Sequence, residues 1–161
     1  MAVSKEPYDV QDVIGVALEQ LGEHRRGQVA AVVPPDLPLV PMDVVLITQV
    51  IVNLLDNAIK YSPDSGTVSI EAAEIGDSLE IRVLDRGSGV ASADRERIFR
   101  KFVRGSGGSG LPGMGIGLAI CKGFVEANHG RIWVDERAGG GSVFHFALPL
   151  RDRKERIPPG R

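Results

Sequence analysis

Asn53, Asn57 and Lys60 recur at i, i+4 and i+7, and at about 100° per residue a helix carries all three on one face. An amide oxygen can ligate Mg2+, a hard cation that keeps several waters and takes its remaining oxygens from phosphates. An ammonium one turn further on neutralises phosphate oxygens. A plain polar helix edge uses the same residues, so the helix alone leaves both readings open. A second group, Asp85-Arg86-Gly87-Ser88-Gly89-Val90, follows a run that is apolar at Ile81, Val83 and Leu84. A carboxylate at a strand end accepts from an exocyclic amine such as adenine's. The two glycines let backbone approach a flat base with no Cβ in the way. Tight turns draw on the same residue types. Third, Gly113-Met114-Gly115-Ile116-Gly117-Leu118 opens a helical pattern with alternate glycines. Unhindered N–H groups at a helix N-terminus form a phosphate site, whereas flexible linkers rarely lead straight into an amphipathic helix.

The remaining reactive residue types point elsewhere. His24, His129 and His145 are scattered and lack carboxylate companions at metal-ligand spacing. His129, just before Gly130, reads as a helix C-terminal cap favoured by the dipole. Cys121 is the only cysteine, which excludes an intramolecular disulfide and suits a packed thiol. A net charge of −2 over 161 residues supplies no field for nucleic acid or an anionic membrane, so phosphate must be held by local groups. No uninterrupted apolar run reaches the roughly 18 residues of a membrane span, and residues 1–5 lack a signal peptide's apolar stretch. The expectation is a reduced, cytoplasmic setting, with any membrane contact made by segments outside these residues.

Hydrophobic periodicity supplies the frame. Val10, Val13, Ile14, Ala17, Leu18 and Leu21 fit an amphipathic helix over 9–21. Gln28–Val33 reads as a strand stopped by Pro34-Pro35, and Leu37–Val40 as a second extended piece. Asp43 stands as N-cap to a helix over Val44–Tyr61, whose Ile47, Val50, Ile51, Leu54, Leu55 and Ala58 form one apolar stripe; Ser62–Gly66 ends it. Thr67–Ala73 and Ser78–Leu84 form a hairpin around Gly76-Asp77. A charged helical stretch over Ala93–Phe102 follows. Residues 103–115 hold six glycines, too many for a regular element, and 103–113 reads as a lid over nucleotide. A helix over Ile116–Asn128 and a strand pair, Arg131–Glu136 with Ser142–Leu148, complete a single domain over 1–150. Residues 151–161, charged and Pro-rich, form a tail. Antiparallel strands separated by helices predict an α/β (α+β) two-layer sandwich, not a doubly wound Rossmann sheet.

Taken together, the motifs resemble a known family. Asn53–Ser62 resembles the N box of bacterial sensor histidine kinases, Asp85–Val90 the G1 box, Ile98–Phe102 the F box and Gly113–Leu118 the G2 box. Gly139-Gly140-Gly141-Ser142, with Phe144 and Leu148-Pro149, is similar to the G3 region. Gly113–Trp133 and the Gly139–Phe144 ending look closest to the potassium-responsive KdpD kinases. The resemblance implies the GHKL (Bergerat) fold, a mixed, mainly antiparallel sheet packed on three helices, binding ATP and Mg2+. It implies Asn57 as Mg2+ ligand, Lys60 and Arg104 at the phosphates, and Asp85 on adenine within a pocket shaped by Gly87 and Gly89. Tyr61 would lie beside the nucleotide, with Asn53 as the catalytic residue near the transferred phosphoryl group. Gly113, Met114, Gly115, Gly117, Leu118 and Ser142 complete the implied binding set. The implied partners are a histidine-bearing dimerisation hairpin of the same kinase and a response regulator.

Arg86, Ser88 and Met114 depart from the family's commonest spelling, and none of the three histidines matches its phosphoacceptor context. The expectation is a catalytic fragment of a longer, membrane-anchored kinase. A stand-alone serine kinase of the anti-sigma type shares the implied fold. A nucleotide-binding regulatory module without transfer activity is a third reading, disfavoured by the presence of Asn53, Asn57 and Lys60.

Overall fold

Asp43 starts the central helix because its side chain accepts from Leu46 N at 3.3 Å, satisfying an N–H that has no partner within the helix. The computed structural model describes residues 2–62, 67–100 and 114–151, with backbone alone at 114–116. In chain order its elements are β1 (Glu6–Tyr8), α1 (Val10–Leu21), the single turn α2 (Glu23–Arg26), β2 (Val29–Val32), β3 (Val40–Met42) and α3 (Val44–Tyr61). Then come β4 (Val68–Ile75), β5 (Ser78–Leu84), two 3-10 turns (Ser92–Asp94 and Arg97–Phe99), α4 (Met114–Ala127), β6 (Arg131–Glu136) and β7 (Ser142–Pro149).

The main sheet has strand order β2-β4-β5-β7-β6, antiparallel except for the β2–β4 pair. Helices α1, α3 and α4 cover one face, giving the expected two-layer sandwich. The apolar stripe of α3 is buried as the periodicity predicts and meets Ile70, Ile81, Val83 and Phe146 of the sheet in one core. By length and composition α3 is apolar enough to cross a membrane. A scan for uninterrupted runs misses this because Asn53, Asp56, Asn57 and Lys60 punctuate it. The buried stripe identifies it as a core helix.

Three expectations are corrected. The extended piece placed at Leu37–Val40 lies at Val40–Met42, where β3 pairs with β1 in a separate ribbon, Pro7 opposite Pro41. Of the charged helix expected over Ala93–Phe102, the described residues up to Arg100 instead form two 3-10 turns, anchored by buried Asp94, Ile98 and Phe99. The last helix begins at Met114, before the last glycine, Gly115, of the run that seemed too Gly-rich for regular structure. The lid segment 103–113 and tail residues 152–161 lie outside the described residues.

The sheet's other face carries a polar row across four strands, Glu71, Arg82, His145 and Trp133 in register. Glu80 lies beside it, with its Oε1 2.6 Å from His145 Nδ1 and 3.0 Å from Arg82 Nε. Burial alone raises the Glu80 carboxyl, but the hydrogen bonds to His145 and Arg82 outweigh it and hold the group below its ordinary range. The Trp133 ring stacks on the His145 ring, centroids 4.8 Å apart, and the Arg131 guanidinium sits 4.2 Å from the Trp133 ring centre.

Candidate functional site

The end of β5 and the turn before β7 are fastened to each other. Asp85 N donates to Ser142 O at 3.0 Å, and Ser142 N returns a bond to Asp85 Oδ1 at 3.2 Å. Gly87 N also donates to Oδ1, at 2.8 Å. Oδ1 is thereby fixed by two N–H groups, while among the described residues no hydrogen bond engages Oδ2. Asp85 is 6% exposed. Burial pushes its carboxyl above the ordinary range, against the pull of those two donors and the Arg137 guanidinium. A carboxylate held dry at a strand end, with one oxygen locked and the other available, suits a ligand that donates a hydrogen bond.

Glycine is required where the backbones converge. A Cβ on Gly87 would sit 2.6 Å from the Tyr61 carbonyl oxygen, so the end of α3 closes directly on the Asp85 turn. Gly141, at φ +105°, would drive a Cβ into the Asp85 carbonyl. Gly141 was absent from the expected site although the Gly139–Gly141 run preceding Ser142 signalled a special backbone. Arg86, a departure from the family spelling, donates from one terminal nitrogen to Ala138 O at 3.1 Å and Gly140 O at 3.4 Å, clamping the same two turns.

Helix α3 forms the next wall. Tyr61 is half-buried, which raises its phenol. Asn57 is half-buried, and among the described residues its amide has no hydrogen-bond partner. One turn earlier, Asn53 Oδ1 accepts from Gln49 Nε2 at 3.3 Å, and its amide also meets the Cys121 thiol of α4. That thiol is pushed up to about 12 by burial. Lys60 Nζ lies 3.7 Å from Asp56 Oδ2, and Asp56 is also paired with Arg25 of α2. Sequence spacing reveals the Lys60–Asp56 pair, but the long-range Arg25 contact left no signal.

The structure therefore brings Tyr61, Asp85, Gly87, Gly89 and Ser142 together at one end of the sheet, with Asn53, Asn57 and Lys60 along the helix leading into it. Leu118 buries its side chain in the core and can offer a ligand only backbone. Among the described residues, a Cβ on Gly117 would meet nothing within 4 Å. Met114 and Gly115 begin α4; Arg104 and Gly113 lie outside the described residues. Among the described residues, no group of three His, Cys, Asp or Glu could hold a metal unaided.

Residues 42–152 match the family described as histidine kinase-, DNA gyrase B- and HSP90-like ATPases. The chain belongs to this ATPase family. Over 137 residues it is 44% identical to the adaptive-response sensory kinase SasA of Synechococcus elongatus, covering 83% of this chain and 35% of that protein. The sensor protein KdpD of Escherichia coli K12 is 35% identical over 153 residues, 95% of this chain and 17% of KdpD. The KdpD likeness read from the motifs is therefore a relationship, shared with SasA at higher identity. Full-length ShkA in complex with AMPPNP superimposes with a TM-score of 0.79 at 28% identity, covering 93% of this chain and 32% of ShkA. The chain spans about a third of the length of the SasA protein it matches. Its ATPase fold is the expected GHKL sandwich, with Asp85 held between the turns named above.

Proposed function

We propose that the chain is the ATP-binding catalytic domain of a sensor histidine kinase, transferring the γ-phosphoryl group of ATP to a histidine on a separate helical hairpin. The buried Asp85, locked through Oδ1 by Gly87 and Ser142, carries this reading. Its second oxygen would accept from the adenine amine, while Gly87 and Gly89 let the turn that frames the base close on the backbone of Tyr61 and Gly141. Along α3, Asn57 offers an amide oxygen and Lys60 an ammonium toward the phosphates. Asp56 and Arg25 hold that ammonium side of the helix in place. A donor set of one amide with no carboxylate cluster fits Mg2+ arriving already bound to nucleotide phosphates. When bound, the ion would offset charge on the transferring group.

The transfer forms a bond from γ-phosphorus to an imidazole nitrogen and breaks the bond to the β,γ-bridging oxygen, leaving ADP. Asn53 orients the incoming imidazole; an amide has no useful basicity, so it neither takes a proton nor activates water. Arg104, Gly113 and the 103–113 segment complete the phosphate side and close over nucleotide. The phosphorylated hairpin then passes its group to a response regulator. The KdpD relationship makes potassium response one candidate input. The domain works in the cytoplasm, attached to a membrane-anchored parent, and does not bind nucleic acid.

The test uses γ-labelled ATP with Mg2+, the chain, and a histidine-bearing hairpin supplied in trans. Label is expected on the hairpin and on none of His24, His129 or His145. Transfer is limited by the effective concentration lost with the tether. Label on one of those three histidines, or on a serine peptide instead of the hairpin, overturns the proposal.

A further inference from the structure

Strand β6 is one edge of the main sheet: among the described residues it pairs only with β7. Among the described residues, no backbone bond outside that ladder engages Arg131–Glu136. A groove of about 530 Å3 runs beside it, lined by Arg131–Val134 without a break. Successive strand residues point to opposite faces, so a groove touching four in a row lies along the strand's edge and not on either face. Its far wall is Phe99 and the 3-10 turns on one side and α4 on the other. Unpaired main-chain groups facing an open groove are the geometry for adding a strand.

The charge of the channel selects the occupant. Arg95, Arg100, Lys122 and Arg131 line it against only Glu96 and Glu126, in a chain of net charge −2. The chain's own nearby candidates carry the wrong sign. Residues 152–161 hold four cationic side chains to two acidic ones, and 101–113 hold Lys101 and Arg104 with no acid. A second copy would set basic edge against basic edge. We infer that the β6 edge is a docking site for an extended acidic segment of a partner protein, added as a sixth strand beside Arg131–Val134, the part of β6 that lines the groove and precedes its own Asp135 and Glu136. Main-chain bonds hold the segment, and the cationic lining selects for acid.

Trp133 is the only tryptophan and lines the groove, so its fluorescence reports occupancy directly. The probes are a ten-residue alternating Glu-Val peptide, its Lys-Val counterpart, and the Glu-Val peptide N-methylated at alternate residues. Saturable change in Trp133 emission is expected with the first alone, and N-methylation on the paired edge should weaken it tenfold or more. The variant Arg100→Glu combined with Lys122→Glu, at an exposed and a half-buried position and checked for an unchanged melting midpoint, should weaken it similarly. Amide exchange at Arg131–Val134 should slow in the complex. Equal binding of the Lys-Val peptide, indifference to N-methylation in both registers, or no emission change overturns the inference. None of these readouts uses ATP, so failure here leaves the nucleotide site untouched.

Discussion

Asp85 combines a cost to folding with a use in binding. Its carboxyl is raised in the folded chain, so at neutral pH its ionised form is held where burial disfavours it. The sign for stability follows: the native state binds the proton more tightly than the unfolded chain, so stability is regained as pH falls through the raised value. Asp85→Asn keeps an oxygen for Gly87 and Ser142 while removing the charge. The variant is expected to melt no lower than the parent at neutral pH, yet to lose about 1.5–3 kcal/mol of ATP affinity and most discrimination against GTP. Titration calorimetry with both nucleotides and a melting curve decide it; unchanged ATP affinity removes Asp85 from the base pocket. In the parent, ATP affinity should decline on acidification at a pH above the roughly 3.9 of a free aspartate, and Asp85→Asn should abolish that limb. Residue types alone marked Asp85 and Gly87, because a strand-end carboxylate and a glycine turn are local signals, whereas Ser142 entered only through the family resemblance. The clamp of Arg86 on Ala138 and Gly140, the collision that forbids a side chain at Gly141, and the Asn53–Cys121 contact all join segments distant in sequence. No spacing rule encodes them.

At the scale of elements, α3 was legible because one strong period, an Asp cap and a polar edge agree over many residues. The β1–β3 ribbon was not. Each strand has three residues, too few to display alternation, and a proline on each side argues against a ladder. The two 3-10 turns read as a helix because charged residues flank Ile98 and Phe99 at helical spacing, whereas packing of those side chains fixes the actual backbone. Beneath the ribbon, α3 is tied to the end of α4: Asp43 N donates to Asn128 Oδ1 at 2.7 Å, and Asn128 Nδ2 donates to Phe124 O at 2.8 Å. Asn128 is fully buried, so Asn128→Ala strands the Asp43 N–H and should cost about 1–3 kcal/mol. Asp43→Ala loses the cap to Leu46 N and the bond from Ser4 N, for about 1 kcal/mol. Urea denaturation of each variant tests both costs. Because the Asp43 N–H survives Asp43→Ala, the loss in Asn128→Ala alone reports the Asp43–Asn128 bond. An unchanged Asn128→Ala stability would mean that bond contributes nothing.

At the scale of the whole molecule, the face of the sheet away from the helices contributes acid sensitivity through Glu80. Ionised Glu80, bonded to His145 and Arg82, adds stability above its unfolded value of about 4.3, and that stability is lost as pH falls through its lower folded value. Glu80→Gln should therefore destabilise at neutral pH by about 1–3 kcal/mol and flatten the acid limb of a melting-temperature profile. A variant whose profile runs parallel to the parent's would place the acid sensitivity elsewhere. The opposite layer offers a different kind of reporter. Cys121, fully buried and with its thiol pushed up to about 12, is closed to alkylating reagents until the chain opens. Since it is the single thiol, its modification rate in the presence of excess reagent is a clock for opening at the α3–α4 seam, readable by intact mass with no engineered label. Saturating Mg2+–ATP should slow that clock by about 1 + [ATP]/Kd if opening releases nucleotide. An unchanged rate would mean the seam breathes without disturbing the bound state. The same inertness lets a cysteine placed anywhere on the surface carry a dye or spin label alone, with the native thiol left in position.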